Sequence, residues 1–159
     1  MPGALPPAAQ RIAELLAAHG LVDRVVEMPD STRSAADAAR ACGCAVAQIA
    51  KSIVLRAQRS GRPVVVVASG VNRVNEARIA ELLDEPIGKA DADFVRARTG
   101  FAIGGVAPLG FSETPALFVD RDLLQFPEIW AAAGTPRCVF KLTPDELVRL
   151  TGGTVTSVV

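Results

Sequence analysis

The fold is decided by residues 49–69, which read IAKSIVLRAQRSGRPVVVVAS. Apolar and β-branched side chains predict one strand over residues 49–55 and a second over residues 63–69. Ser60-Gly61-Arg62, which lies between them, suits a hairpin turn. The run Val64–Ala68 shows no alternation of apolar and polar side chains, and this is typical of a strand that is covered on both faces.

Helix and strand signals are intermixed along the rest of the chain. Capping residues and stop signals predict helices at about 8–18, 35–42, 76–83, 92–99 and 144–151. Further strands are predicted at 21–28, 116–119, 129–132, 138–142 and 154–158. This order, with one short hairpin and several helical crossovers, predicts a mixed α/β fold whose sheet is curved or closed, with helices packed outside. We expect a single domain over residues 1–159.

The composition argues against two classes of protein. Lys and Arg total 17 and Asp and Glu total 17, so the formal net charge is +0. A dedicated duplex-DNA binder usually carries a basic surplus, because phosphate neutralisation supplies most of its affinity. We therefore expect no sequence-specific DNA binding, and any nucleic-acid contact must be local. No stretch approaches the ~18 uninterrupted apolar residues that a membrane span needs, so no membrane association is expected.

The cysteines and the first residues favour a cytoplasmic protein. Cys42, Cys44 and Cys138 form an odd set, and no second Cys or His pair completes a zinc site. Buried thiols in a reducing compartment are the plain interpretation. The opening residues, MPGALPP, contain no basic segment followed by an apolar core, so they do not predict a signal peptide. We expect neither a metal nor a cofactor.

Lys51 is the first candidate for a functional residue. It is the only charged residue between Arg40 and Arg56, and its neighbours are mostly apolar. A buried ammonium group costs several kcal/mol unless it is paired or reaches a water-filled pocket. The alternative is a lysine at the start of a strand whose head reaches solvent. A functional lysine here would suit a phosphate, a carboxylate or a developing oxyanion.

The second candidate is the segment 101–110, which reads FAIGGVAPLG. Its adjacent Gly104 and Gly105 permit positive φ angles and the close approach of a ligand or another backbone. Successive amides in such a turn can point together and bind an anion or a carbonyl oxygen. The alternative is a tight connection between two elements. The glycine spacing matches neither of the common phosphate-binding loops.

Two later features could contribute to the same site. Asp120 closes an apolar strand, where a carboxylate can orient a lysine or cap the next turn. A pairing of the Asp120 and Asp122 carboxylates is not expected, because a cap for the turn that follows is the more frequent role of such a residue. The segment 133–137, AGTPR, brings backbone amides, a hydroxyl and a guanidinium together, which could bind a substrate. The alternative is a simple hairpin loop.

The other polar features of the sequence are a group of basic residues and the single histidine. A local phosphate-contacting face could be formed by Arg73, Arg78, Lys89, Arg96 and Arg98. The acidic residues interspersed among them make an ordinary solvated surface the alternative. His19 ends the first predicted helix, where a cation suits the helix dipole, so no Ser-His-Asp or Cys-His arrangement is expected. Any hydrolysis must then rely on positioning and oxyanion binding, with a hydroxyl of the substrate as the base.

Together these segments resemble the YbaK/EbsC-type prolyl-tRNA editing family, which is related to the editing domain inserted in bacterial prolyl-tRNA synthetases. The resemblance is carried, in this order and spacing, by Ala50–Ile53, Gly104–Pro108, Asp120, Gly134–Pro136 and Phe140–Leu147. It covers nearly the whole chain. It implies a mixed α/β fold with a curved, barrel-like mixed β-sheet and surrounding helices.

The resemblance also implies an activity. Members are free-standing deacylases that hydrolyse the ester of mischarged aminoacyl-tRNA, and the expected substrate here is tRNA for proline that carries a small wrong amino acid. Lys51 corresponds to the essential family lysine, near the terminal adenosine and the ester. Gly104 and Gly105 correspond to the loop that fixes the aminoacyl carbonyl. Some relatives carry a histidine late in the chain that assists at the adenosine hydroxyls, and this sequence has none there.

The remaining site residues are expected around this centre. Asp120 and Gly134 match other pocket-lining positions of the family. The substrate is expected to contact their neighbours in the matched segments as well, namely Ser52, Ile103, Val106, Pro108 and Thr135. Arg73 and Arg78 are expected to contact the tRNA.

Two questions stay open at the level of sequence. The acceptor end of aminoacyl-tRNA is the expected partner, with prolyl-tRNA synthetase as a further one. A non-catalytic module that binds tRNA ends or a synthetase would use the same pocket but would show binding without turnover, and the missing histidine supports it. The amino acid that is removed is also open, because alanine, 2-aminobutyrate, cysteine, serine and threonine differ by a methyl or one polar group.

Overall fold

A computed structural model describes residues 4–159 of the chain, so the first three residues of the opening segment lie outside it. The helices are α1 (Pro7–Ala18), α2 (Ala35–Cys42), α3 (Glu76–Leu83), α4 (Ala92–Thr99) and α5 (Pro144–Thr151). The strands are β1 (Val25–Glu27), β2 (Ile49–Ala57), β3 (Pro63–Ser69), β4 (Ile87–Lys89), β5 (Ala116–Asp120), β6 (Ile129–Ala132), β7 (Cys138–Leu142) and β8 (Thr154–Thr156). Short 3-10 helices lie at Val46–Gln48 and Arg121–Gln125.

The eight strands form one mixed sheet in the order β1-β7-β6-β2-β3-β5-β8, and β4 pairs with β2 beside this path. Antiparallel pairs join β1 to β7, β7 to β6 and β2 to both β3 and β4. Parallel pairs join β2 to β6, β3 to β5 and β5 to β8. The mixed α/β fold class is therefore confirmed. The sheet is not closed, because β1 and β8 stand at its two ends.

Strand β3 lies at the centre of the hydrophobic core, as the unalternating valine run predicts. Every side chain from Val64 to Ala68 is fully buried. Val65 and Val67 pack into the cluster that contains Ile12 of α1. The alternate residues of the run pack into a second cluster around Ile79 of α3. The sheet is thus covered on both faces at this point, and β2 is held in place along one full edge of β3.

The other edge of β2 is only partly covered, and this feature positions the site. Strand β6 pairs with β2 only at Ile49 and Ala50, and β4 pairs with β2 only from Leu55 to Ala57. Between these two ladders, residues 51–54 pair with β3 alone. Within residues 4–159, no strand covers the second edge of β2 over this stretch.

The structure differs most from the sequence prediction at three short strands, and β2 and β5 run to Ala57 and Asp120, slightly beyond their predicted ends. Strand β1 begins at Val25 rather than Leu21, because the Leu21 amide donates to Leu16 O to close α1 and Asp23 has a φ of 57°. Strand β8 ends at Thr156, two residues early. Strand β4 was not predicted, because a three-residue strand centred on Gly88 carries no local β signal and forms through its pairing with β2. None of the helices in residues 4–159 is long and apolar enough to cross a bilayer.

Helix α5 is fixed by Glu146, which has two functions. Thr143 and Glu146 form a reciprocal capping box at the start of the helix, as their spacing predicts. The Glu146 carboxylate also accepts two hydrogen bonds of 3.1 Å from the guanidinium of Arg24, which precedes β1. These hydrogen bonds, above all the pair from Arg24, lower the pKa of Glu146 below its ordinary value.

We predict that Glu146→Gln lowers stability at neutral pH by about 1–2 kcal/mol, because it removes a charged pair with two hydrogen bonds. Since the folded-state pKa of Glu146 is depressed, the stabilisation is present above the unfolded pKa and is lost as pH falls through the folded pKa. Urea unfolding from neutral pH down to about pH 3 should therefore show the difference between the two proteins shrinking. A difference that stays constant over this range would contradict the interpretation.

Candidate active site

A cavity of about 330 Å³ opens where the second edge of β2 is uncovered. Strand β2 contributes residues 49–53 to its wall, and β6 contributes residues 130–132. Ile103, Gly104 and Val106 close it from the glycine-rich loop. The remaining wall is residues 32–35, at the start of α2, together with Ala38 and Val139. Most of these side chains are small and apolar, so the few polar groups at the cavity are conspicuous.

Lys51 borders this cavity and also a shallower depression on the α3 side of the sheet. Its side chain is half-buried, and Nζ donates to the carbonyl of Gly70 at 3.4 Å. Burial lowers the pKa of Lys51, and the negative charge of Asp120 partly opposes this change. The ammonium group is thus a partly desolvated cation at the edge of a cavity, rather than a head group in open solvent.

Asp120, whose charge acts on Lys51, is a buried carboxylate with only 1% of its surface exposed. Its oxygens accept hydrogen bonds from the amide of Ser69 at 3.0 Å and the side-chain amide of Asn72 at 2.8 Å. A third bond, 2.9 Å long, comes from the amide of Asp122. Both expectations for this residue are therefore compatible: it caps the turn after β5, and its charge acts on Lys51. Asp120 is not part of the cavity wall.

The two adjacent glycines allow three loops to stack against one another. Gly104 has a φ of 91°, and a methyl group there would lie 2.5 Å from Cγ of Arg33. A methyl group on Gly105 would lie 2.7 Å from the backbone carbon of Thr135. Each glycine thus leaves room for a different neighbour. The segment is a tight turn, and it also lies in close contact with two other loops. The Gly105 amide donates to Ala102 O at 3.0 Å, within the turn itself.

The loop that contains Gly134 and Thr135 shapes the site through its backbone. Gly134 is buried with a φ of 95°, and a methyl group there would lie 3.1 Å from the carbonyl oxygen of Ala8. Thr135 Oγ1 accepts from the amides of Arg137 and Cys138 at 3.2 and 3.1 Å, which closes the turn between β6 and β7. Neither residue is part of the cavity wall. They hold the backbone against which Gly105 packs.

Three other expected residues lie away from the cavity. Pro108 borders a separate depression with Leu117 and Leu150. Arg73 lines the shallow depression on the α3 side, which it shares with Lys51. Arg78 donates through Nε to Ser157 O at 2.6 Å, so its guanidinium is bound near the end of the chain.

No histidine or activated thiol lies at the cavity within residues 4–159. His19 is exposed at the end of α1, where Nδ1 lies 2.9 Å from Leu15 O. Burial raises the pKa of all three thiols, that of Cys42 to about 11, so none is a ready nucleophile at neutral pH. His, Cys, Asp and Glu side chains form no potential metal-binding cluster in this part of the chain.

The sequence interpretation missed two residues at the cavity, Arg33 and Trp130. Arg33 precedes Ser34, which was recognised only as the cap of α2, and the side chain of Ser34 does accept from Asp37 N at 3.0 Å. Trp130 lies in β6 where that strand meets β2. No spacing rule connects either residue to Lys51. Strand pairing places Trp130 beside β2, and hydrogen bonds from Thr32 to Pro136 O hold the loop that carries Arg33.

Comparisons with known proteins agree with this architecture. A family model described as "Aminoacyl-tRNA editing domain" matches residues 29–150. A solved structure described as "a putative trans-editing enzyme for prolyl tRNA synthetase" is 42% identical, with a TM-score of 0.90 over 97% of this chain and 98% of that one. A structure used for epitope backbone grafting is also 42% identical, with a TM-score of 0.89 over 96% and 97%. A Bacillus subtilis (strain 168) protein, "Uncharacterized protein YwhH", is 28% identical over 77% of this chain and 78% of its own length.

Ser52 presents the one buried side-chain polar atom in residues 4–159 that has no hydrogen-bond partner, its Oγ. Leaving a buried hydroxyl without a partner costs about 1–3 kcal/mol. Ser69 on the neighbouring strand is a matched serine whose Oγ donates to Ala47 O at 2.7 Å. The two serines therefore differ in whether the folded protein satisfies the hydroxyl.

We predict that Ser52→Ala leaves the free energy of unfolding unchanged or raises it by up to about 1 kcal/mol, because the substitution removes an unsatisfied group. Ser69→Ala should lower it by about 1–2 kcal/mol, since Ala47 O loses its donor. Urea denaturation of both variants measures the contrast. Equal destabilisation by the two substitutions would show that the Ser52 hydroxyl is already paired in the unliganded protein.

Proposed function

The chain belongs to the aminoacyl-tRNA editing domain family, and from this premise we propose that it is a trans-editing deacylase that hydrolyses the ester of mischarged tRNA. The observation that carries the proposal is the partly desolvated Lys51 ammonium at the mouth of a small apolar cavity, beside the Gly104–Gly105 turn. A cation and a backbone amide are groups that stabilise the oxyanion of an ester under attack. Of the two glycines only Gly104 borders the cavity, and the Gly105 amide already donates to Ala102 O, so Gly104 is the glycine proposed to contact the ester.

The reaction needs little more than positioned groups. Water adds to the ester carbonyl, the tetrahedral oxyanion collapses, and the ribose oxygen leaves with a proton. An aminoacyl ester is already activated, so a held carbonyl, a nearby cation and a placed water suffice. In the proposed mechanism the vicinal hydroxyl of the terminal ribose relays the proton, because the cavity offers no imidazole and Asp120 is engaged in three hydrogen bonds.

The proposed substrate is tRNA for proline that carries a small wrong amino acid. A cavity lined by alanine, isoleucine and valine side chains favours a small apolar side chain. The 42% identical structure described as a "putative" trans-editing enzyme for prolyl tRNA synthetase supports the choice of tRNA. An interaction with prolyl-tRNA synthetase and a cytoplasmic location belong to the same proposal.

Four other residues are proposed to act at or beside the cavity. We assign substrate contact to Ser52, Ile103 and Val106, which border the cavity. Asp120 maintains the charge of Lys51, since its carboxylate raises the lysine pKa against the effect of burial.

The remaining predicted residues act at a greater distance from the cavity. Gly134 and Thr135 support the glycine turn through their backbone. Arg73 can contact the tRNA from the neighbouring depression. Pro108 and Arg78 stay predictions with weaker support, because one lies at a separate depression and the guanidinium of the other is engaged.

Replacing Lys51 tests this function. Lys51→Met keeps the length of the side chain but removes the charge, and we predict a loss of about 10²–10³-fold in the deacylation rate of alanyl-tRNA for proline, with an unchanged circular dichroism spectrum. Arg149→Met is the control, because Arg149 is an exposed cation on α5 that borders neither the cavity nor the neighbouring depression.

Turnover at the wild-type rate in the Lys51 variant would remove Lys51 from the mechanism. If the wild-type protein binds the charged tRNA without hydrolysing it, the non-catalytic module that binds tRNA ends or a synthetase becomes the correct description.

A further inference from the structure

Arg33 presents a guanidinium group at the rim of the cavity. The residue is exposed, and its side chain runs across Gly104, so that a methyl group on Gly104 would lie 3.0 Å from Nε. Within residues 4–159, its guanidinium makes no salt bridge and no hydrogen bond. The nearby carboxylate of Asp37 is paired with Arg40 instead. Arg33 is therefore a cation beside the site, and within residues 4–159 no carboxylate pairs with it.

The backbone of Arg33 is nevertheless firmly held on both sides. Thr32 is buried, and both its amide and its hydroxyl donate to Pro136 O, at 2.7 and 3.0 Å. The Arg33 amide donates to Ser31 Oγ at 3.2 Å, and Ser34 follows as the cap of α2. The held backbone places the stem of the side chain against Gly104, while the fork at its end remains open to a ligand. Such preorganisation reduces the entropy lost on binding.

We propose that Arg33 binds the 5′-phosphate of the terminal nucleotide of the tRNA while the ester lies at Lys51 and Gly104; the assignment rests on the proposed function. A guanidinium fork matches phosphate oxygens in a bidentate manner. The two cations lie at different depths, because Lys51 is half-buried at the edge of β2 and Arg33 is exposed at the rim. A terminal nucleotide places its ester and its phosphate at opposite ends, so the buried cation faces the ester and the exposed one faces the phosphate.

A phosphate contact at Arg33 would also supply local affinity for tRNA. The formal net charge of the protein is +0, so affinity for a polyanion has to come from individual cations near the site. Arg33 supplies one such cation in contact with the loop that is proposed to hold the ester carbonyl. A phosphate bound there would orient the ester as well as contribute affinity.

The test compares substrates with and without the phosphate. We expect Arg33→Gln to lower kcat/KM for alanyl-tRNA by about tenfold, mainly through KM, as the loss of one charge-assisted contact implies. The same variant should hydrolyse 3′-alanyl-adenosine, which carries no phosphate, at the wild-type rate. Arg33→Lys should recover part of the loss on tRNA. Arg40→Gln is the matched control, because Arg40 is exposed on α2 and pairs with Asp37.

Salt dependence gives a readout that a merely structural role would not change. Removing one phosphate contact should reduce the slope of log kcat/KM against log salt concentration by about 0.7. An equal loss on tRNA and on alanyl-adenosine would overturn the proposal, because it would place the guanidinium at the ester. Wild-type rates on both substrates would overturn it too.

A binding measurement separates this proposal from the proposed function. Trp130 is the only tryptophan of the chain and borders the cavity, so its fluorescence can report binding of the uncharged trinucleotide CCA. We expect Arg33→Gln to weaken this binding by about tenfold whether or not the protein hydrolyses any ester. Equal affinity of the variant and the wild type would reject the phosphate contact, whereas absent turnover alone would reject only the deacylase function.

Discussion

The site depends on the incomplete covering of strand β2. One edge of β2 is bonded to β3 along its length, while β6 and β4 cover only the two ends of the other edge. Within a folded sheet such a gap exposes backbone polar groups, and proteins usually cover or shorten exposed edges. Here the gap becomes the floor of a cavity, and Lys51 lies beside it. The fully buried run of β3 holds the other edge of β2 through a continuous ladder.

A second constraint is the close packing of three loops around the cavity. Gly104 lies under Arg33, and Gly105 lies against the backbone of Thr135. Pro136, the next residue, accepts two hydrogen bonds from Thr32. The loops before α2, before β5 and before β7 therefore position one another. A side chain at either glycine would push these loops apart. The packing of the loops therefore requires two adjacent glycines, whether or not a ligand also contacts them.

Much of the fold could be predicted from local signals, and the reasons are specific. The caps at Ser34, Asn75, Asp91 and Thr143 all accept the hydrogen bonds that their positions predict. The valine run identified the covered strand, because burial on both faces removes alternation. Strand β4 and the true start of β1 were not accessible in this way. The first depends on pairing with a distant strand, and the second on the positive φ of Asp23.

For the site, the sequence identified the residues that are locally anomalous. Lys51 and the glycine pair break the apolar pattern around them, and the structure brings Lys51 and Gly104 to one cavity. Arg33 was not predicted as a site residue, because an arginine beside a helix cap is common. Its position at the cavity follows from the packing of its side chain against Gly104, which is distant in the sequence.

The most direct test of the account is the deacylation of tRNA for proline charged in turn with alanine, 2-aminobutyrate, cysteine, serine, threonine and proline. The account predicts rapid hydrolysis of one or two of the wrong amino acids and survival of prolyl-tRNA. Survival of the whole panel would contradict the proposed function.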